Sequence, residues 1–261
     1  MIIVNGIDQG SSDWFRMKLG VVSASRASEF SAQPKLAPMP SCLYEKQGKD
    51  HRFIHNDINY IGTNKAALQN QIRASLPFIY GDMRQSYMCE LVAQVATETI
   101  PNEMNFKQCE WGKDHEDQAR AFFELELDVD VDVPAFIYKD ATKRFGASPD
   151  GLITGKKIGL ELKCPFTSKV HVEFICCDKI KPEYIEQCQY SMWVTGYDGW
   201  YFASYDPRFT ENQLHYVFIK RDEDFMNKYN EAEKQFSADM DTMLDKLNLK
   251  FGQQWEESFE T

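Results

Sequence analysis

Ser148-Pro149-Asp150-Gly151-Leu152-Ile153-Thr154-Gly155-Lys156-Lys157-Ile158-Gly159-Leu160-Glu161-Leu162-Lys163-Cys164-Pro165 is the stretch on which the fold turns. Pro149 to Leu152 ends one strand and turns, Gly155 to Lys157 is a second turn signal, and Ile158 to Cys164 reads as the returning strand. Residues two apart on a strand point the same way, so Glu161 and Lys163 share a face and the hairpin brings Asp150 beside Glu161. Two hard carboxylates and a backbone carbonyl suit magnesium, which takes oxygen ligands and keeps several waters. A lysine beside a metal-bound water can orient or deprotonate it, because burial and neighbouring charge readily shift an ammonium. The set suits hydrolysis of a phosphodiester by an activated water. Asp, ten residues, Glu, one residue and Lys is weak as a spacing alone, since a solvated hairpin carries such charges too. The context strengthens it: Glu161 sits between leucines just before Pro165, at the buried end of a strand, where a charge is costly unless it is used or paired.

Working outward, Ser11 to Leu19 reads as a short capped helix, and Val21 to Ser25 as a turn into a second helix. Residues 33–66, with Pro34, Pro38 and Pro40 and no clear period, read as a long loop insertion, whose Lys35, Lys46, Lys49, Arg52 and Lys65 suit either the rim of a nucleic-acid entrance or a plain surface excursion. Ser86 to Thr97, Trp111 to Leu127 and Glu183 to Val194 read as helices. Residues 125–133 alternate apolar and acidic, which predicts a strand with one wet face rather than a calcium loop. Phe136 to Tyr138, Arg144 to Ser148, Trp200 to Tyr205 and Leu214 to Lys220 read as further strands, and 222–247 as a long acidic helix. Strands alternating with helices predict an α/β fold with a central mixed β-sheet flanked by helices, with residues 1–261 as one domain.

The chain has 261 residues, of which 43% are hydrophobic and 26% charged, the balance of an ordinary globular protein. No apolar run approaches the ~20 residues that span a bilayer, so no membrane role is expected. The N-terminus lacks the basic and apolar regions of a signal peptide. Seven cysteines without a C-x-x-C pair indicate neither a disulfide framework nor structural zinc, and free thiols suit a reducing cytoplasm. The net charge of −11 argues against a nucleic-acid partner, yet residues 222–261 hold 11 acidic and 4 basic side chains, so most of the excess acid is C-terminal and a basic groove elsewhere stays open.

A third carboxylate is a candidate. Glu116, Arg120 and Phe123 fall on one side of the 111–127 helix, and spacing alone favours a plain Glu116–Arg120 ion pair. The aromatic run Trp200 to Phe202 reads as core packing rather than a base-stacking platform, and His51 and His55 as polar loop residues rather than a zinc site.

Gly159-Leu-Glu-Leu-Lys-Cys-Pro-Phe-Thr-Ser168, Gln189-Tyr-Ser-Met-Trp-Val-Thr195, Trp200-Tyr-Phe-Ala203 and Tyr205-Asp-Pro-Arg208 closely resemble the lambda-type phage exonucleases, the YqaJ-like viral branch of the PD-(D/E)XK nucleases. Trp111-Gly-Lys, Ser148-Pro-Asp-Gly and Leu214-His-Tyr-Val217 add to the match, which runs from about Gln9 to Trp255 apart from 33–66. The resemblance implies a restriction-endonuclease-like core. It also implies a magnesium-dependent enzyme, with manganese as a substitute. Such an enzyme degrades one strand of linear duplex DNA 5′ to 3′ from phosphorylated ends and releases mononucleotides. It leaves 3′ single-stranded tails for recombination by strand annealing. Implied with it are a homotrimeric ring, a single-strand annealing partner and the cytoplasm of a bacterial host of phage or prophage DNA.

Carried over by position, Asp150, Glu161 and the Leu162 carbonyl correspond to metal ligands, Lys163 to the residue acting on the attacking water, and Glu116 to an additional acidic site residue. Tyr184 and Gln187 correspond to the helix facing the site. Ser23, Ser25 and Ser148 match positions that hold the terminal 5′-phosphate, with Ser23 where the phage enzyme has threonine. Lys18 stands where the family has an arginine, and lysine lacks the planar bidentate grip, so a weaker dependence on the 5′-phosphate is expected. Two alternatives are carried: a structure- or site-specific endonuclease on the same scaffold, and a non-catalytic DNA-end-binding module. The second is disfavoured because Asp150, Glu161 and Lys163 are all present.

Overall fold

A computed structural model describes residues 1–32, 34–76, 81–100 and 107–256. Along the chain run β1 (Ile2–Val4), α1 (Ser12–Met17), β2 (Val22–Ser23), α2 (Ala27–Phe30), β3 (Leu43–Gln47), β4 (Asp50–His55), β5 (Ile58–Gly62) and α3 (Lys65–Ala74). They are followed by α4 (Asp82–Thr97), α5 (Lys107–Leu127), β6 (Val131–Asp132), β7 (Phe136–Tyr138), β8 (Phe145–Ala147), β9 (Gly151–Ile153) and β10 (Ile158–Lys163). The chain finishes with α6 (Ser168–Cys177), α7 (Pro182–Thr195), β11 (Gly199–Tyr205), β12 (Leu214–Lys220) and α8 (Glu223–Lys246). It divides into two compact units, one made of Met1–Ser31 with Tyr87–Thr261 and the other of Ala32–Ser86.

The larger unit holds a five-stranded sheet in the order β12-β11-β10-β9-β6 and a four-stranded sheet in the order β1-β7-β8-β2. Both are mixed. β10 runs parallel to β11 and antiparallel to β9, and β2 is parallel to β8 while β7 is antiparallel to it. The hairpin expected around Asp150 is β9–β10, with Gly159 opposite Leu152 and Leu160 opposite Gly151. Leu160 and Leu162 pack into a core with Ala119 and Phe123 of α5. Gly159 is glycine for a reason of space, since a Cβ there would meet the buried Trp200 ring on the adjacent strand at 2.3 Å.

α7 starts with Pro182 at its first position, where a missing N–H costs nothing, and ends at Gly196 with φ +70. Its C-terminal half is buried in the main core with Phe30, Phe145, Trp200, Tyr229 and Phe236. The buried Trp200, Phe202 and Tyr205 agree with the core-packing reading of that strand. α8 begins at the Asp222 cap and buries Met226, Tyr229, Phe236, Met240 and Leu244, leaving its acidic side to solvent.

Two sequence expectations are corrected. Residues 125–133 do not form one strand: Leu125 to Leu127 close α5, Asp128 turns with φ +53, and only Val131–Asp132 pairs with β9. A short alternation fits a helix end as well as a strand, and the preceding helix wins by continuity. The 33–66 stretch is not structureless, because β3, β4 and β5 make an antiparallel sheet there. Its period is hidden because polar residues occupy both faces. α6, between Lys163 and α7, has no counterpart in the sequence reading.

In the smaller unit, Phe53 of β4 packs with Leu68 and Ile72 of α3, and Met39, Cys42 and Tyr60 close around them. Asn64 caps α3 by accepting from the Ala67 N–H.

Candidate active site

Asp150 lies just ahead of β9, where its carboxylate accepts a 2.6 Å hydrogen bond from the Leu162 N–H across the hairpin. That bond fixes the acid at the end of β10. Glu161 and Lys163 lie on one side of β10 and form an ion pair. Glu161 is 2% exposed, whereas Lys163 keeps an edge toward solvent. Tyr184 of α7 presents its ring 5.4 Å from the Lys163 ammonium and stacks on Phe202. Gln187 follows three residues later on α7, half-buried.

Glu116 reaches this group from α5. Arg120 donates to Glu116 at 2.9 Å, to Asp117 at 2.8 Å and, through Nε, to the Asp150 carbonyl at 3.1 Å. The ion pair expected from spacing is therefore real, and the same arginine ties Glu116 to the Asp150 turn. Its grip on a backbone carbonyl thirty residues away left no signal in the helix pattern.

The electrostatics are those of crowded acid in a dry place. Burial, then repulsion from Asp150, pushes Glu116 up to about 7 against the pull of Arg120. Burial pushes Glu161 up to about 8, opposed by Lys163 and reinforced by Asp150. Asp150 is raised for the same first reason, against Lys163 and the Leu162 N–H. Lys163 behaves in the opposite sense. Burial lowers it, but Glu161 and Asp150 together hold the ammonium well above the ordinary lysine range. In this state Lys163 is a fixed cation and a donor.

Among the described residues, no three of His, Cys, Asp and Glu form a ready-made cage for a metal. The donor set still fits a hard divalent cation that keeps water. Its oxygens are carboxylates gathered in a buried place, where the cost of burial raises their affinity for protons and a hard cation could take the proton's place.

The phosphate-pocket candidates divide. Ser23 and Ser25 bring their hydroxyls to 3.3 Å of each other on the turn after β2. Ser148 lies ahead of Asp150 with a buried hydroxyl that has no partner. Lys18 extends over the Trp14 ring at 3.7 Å. It lines a cavity of about 570 Å³ with Lys113, Glu116, Asp117 and Arg120.

One group missed by the sequence reading is Asp206 with Arg208. Asp206 is fully buried and receives Arg208 through two hydrogen bonds of 2.7 and 2.8 Å. Arg208 donates onward to the carbonyls of Pro165 and Phe166 and lies 4.7 Å over Trp111. Trp111 in turn stacks on His115, next to Glu116. The signal was present as Tyr205-Asp-Pro-Arg208 and Trp111-Gly-Lys, which served only as marks of resemblance.

Comparison with known proteins extends this picture. Residues 13–198 match the family model of the YqaJ-like viral recombinase domain. An alkaline exonuclease from Laribacter hongkongensis, also crystallised with dAMP, superposes with a TM-score of 0.67 at 27% identity, covering 91% of this chain and 96% of its own. A phage-related exonuclease from Haemophilus somnus 129PT shares the fold, with a TM-score of 0.55 at 14% identity over 87% of this chain and 96% of its own. ExoD of Escherichia coli (strain K12) is 47% identical over 78 residues, which is 30% of this chain and 90% of that protein. The fold is thus the restriction-endonuclease-like α/β core that the sequence led us to expect.

Proposed function

The chain belongs to the YqaJ-like viral recombinase family, and from that premise we propose that it is a divalent-metal-dependent exonuclease acting on double-stranded DNA ends. It removes 5′-mononucleotides in the 5′ to 3′ direction and leaves a 3′ tail for strand annealing. The observation that carries this reading is the β9–β10 hairpin, which sets Asp150 against Leu162 and puts Glu161 and Lys163 side by side at one end of the sheet. A relative bearing the name alkaline exonuclease matches over nearly the whole chain.

Asp150, Glu161 and the Leu162 carbonyl would hold magnesium, or manganese in its place, with Glu116 as a further acid. A cation there supplies Lewis-acid stabilisation of the phosphorane-like transition state and a more acidic water. Lys163 is held as a cation, so its N–H groups orient the attacking water and meet the charge growing on the phosphate oxygens. The bond broken is that from phosphorus to the 3′ oxygen of the departing nucleotide, so each turn leaves a new 5′-phosphate on the chain. Tyr184 lines the α7 side with its ring beside the Lys163 ammonium, and Gln187, three residues on along the same helix, faces the substrate. Ser23, Ser25 and Ser148 receive the terminal phosphate, and Lys18 supplies cationic charge without a bidentate grip. A homotrimeric ring, an annealing partner and work in the bacterial cytoplasm complete the proposal. No helix among the described residues is long and apolar enough to cross a membrane.

The test is digestion of a linear duplex labelled separately at each end, with magnesium, with and without 5′-phosphate, beside a covalently closed circle. Mononucleotides from the 5′ ends with an intact circle are expected. Cutting of the circle would turn the reading to an endonuclease. Lys163→Ala is expected to lower turnover at least about a thousandfold while end binding persists, the scale of losing a key transition-state donor. Near-normal turnover would remove Lys163 from the mechanism.

A further inference from the structure

The smaller unit carries charge of the opposite sign to the rest of the molecule. Residues 32–86 hold seven basic and four acidic side chains, a net of +3, so the remaining residues carry −14 of the total of −11. Within this unit β3 and β4 form a ribbon that turns at Gly48 with φ +60. Every residue from Leu43 to Asp50 is exposed. Lys46 and Lys49 flank the turn, and no ion pair among the described residues engages either. Lys65 leans over Tyr44 at 4.6 Å, on the face that Tyr44 shares with Lys46.

The register explains what each face does. Tyr44, Phe53 and Tyr60 pair across the sheet on the side that carries its core. Leu43, Arg52, Ile54 and Ile61 lie on the other side, where Leu43 is 70% and Ile61 63% exposed. Arg52 there is held between Glu45 and Asn59. An uncovered ribbon with exposed aliphatic residues and a basic tip is costly to keep on a surface unless it has a partner.

We propose that the β3–β4 ribbon is a duplex-DNA grip, with Lys46 and Lys49 at its exposed tip on phosphates. This deepens the exonuclease reading and rests on it for the identity of the duplex as substrate. A two-stranded ribbon is of a size that the major groove admits. Unpaired lysines at its tip suit a repeating polyanion, on which the electrostatic gain comes from released counterions. The grip would hold the protein on its substrate between cleavage events, so its loss falls on KM and on nucleotides removed per encounter.

The experiment compares the full chain with K46Q/K49Q, two exposed positions whose side chains no fold contact uses. Binding to a duplex of stated length is measured across a salt series in a K163A background, so that cleavage plays no part. Two lost phosphate contacts predict a log–log salt slope shallower by about 2 and binding weaker by roughly tenfold at 0.1 M salt. In the cleaving protein, KM rises and run length shortens, while the loss in kcat is small. An unchanged slope and affinity in K46Q/K49Q would overturn the grip, and leave the exonuclease reading intact if wild type still digests ends. A changed slope with no end digestion by wild type would instead sink the exonuclease reading and keep the grip.

Discussion

Arg120 joins two elements with three groups of one guanidinium. It was legible in the sequence only as a helical partner for Glu116. The Asp150, Glu161 and Lys163 cluster was far more legible, because period-two geometry fixes which side chains share a face. Their protonation was not legible, since it depends on burial that spacing does not encode. Glu116 and Glu161, held up at about 7 and about 8, bind protons more tightly folded than unfolded. Such groups add stability below their ordinary value of 4.5 and lose it as pH rises through their folded values. The metal-free protein is therefore expected to melt lower at pH 8.5 than at pH 5 by more than a Glu161→Gln variant does. Magnesium is expected to raise the melting temperature more at pH 8.5 than at pH 5. Equal increments at both pH values would separate the cation from these carboxylates.

Among the elements, those that carry the site were read with nearly correct bounds, and α7 is bracketed by Pro182 at its start and Gly196 at its end. The failures lie where pattern is short. β6 is only two residues long, and the preceding acidic alternation belongs to a helix end. β3 exposes all its residues, so no buried face marked it as a strand. The Pro165–Phe166 segment after β10 was also opaque, because what shapes it is Arg208, forty residues on. Arg208→Ala is expected to cut kcat about tenfold to a hundredfold through misplacement of Lys163 and Trp111. Arg208→Lys should recover little, since a lysine cannot reach both carbonyls and Asp206 with a planar fork. A loss confined to KM, measured by steady-state digestion, would show that the segment is not a support for the site.

Across the whole molecule, closure depends on the two ends of the larger unit meeting. Phe30, from the N-terminal segment, packs on Phe236 of α8 at 5.4 Å and on Tyr190 and Trp193 of α7. Phe236 is buried, so Phe236→Ala is expected to cost about 3–5 kcal/mol. A urea titration would read this as a lower midpoint at similar slope, and a shift under 1 kcal/mol would place the closure elsewhere. The α/β class and the acid C-terminal helix were plain from composition and period. The division into two units was not, because chain contiguity hides that 1–31 and 87–261 fold together.

The parallel pairing of β10 with β11 has a consequence in time. The strand that carries Glu161 and Lys163 meets its parallel neighbour β11 only after α6 and α7 have crossed over, and Tyr184 and Gln187 ride on that crossover. A chain that ends at Lys163 holds the three charged residues but lacks the β11 and α7 surfaces that complete their surroundings. The surroundings of Glu161 and Lys163 are complete only when β11 docks beside β10.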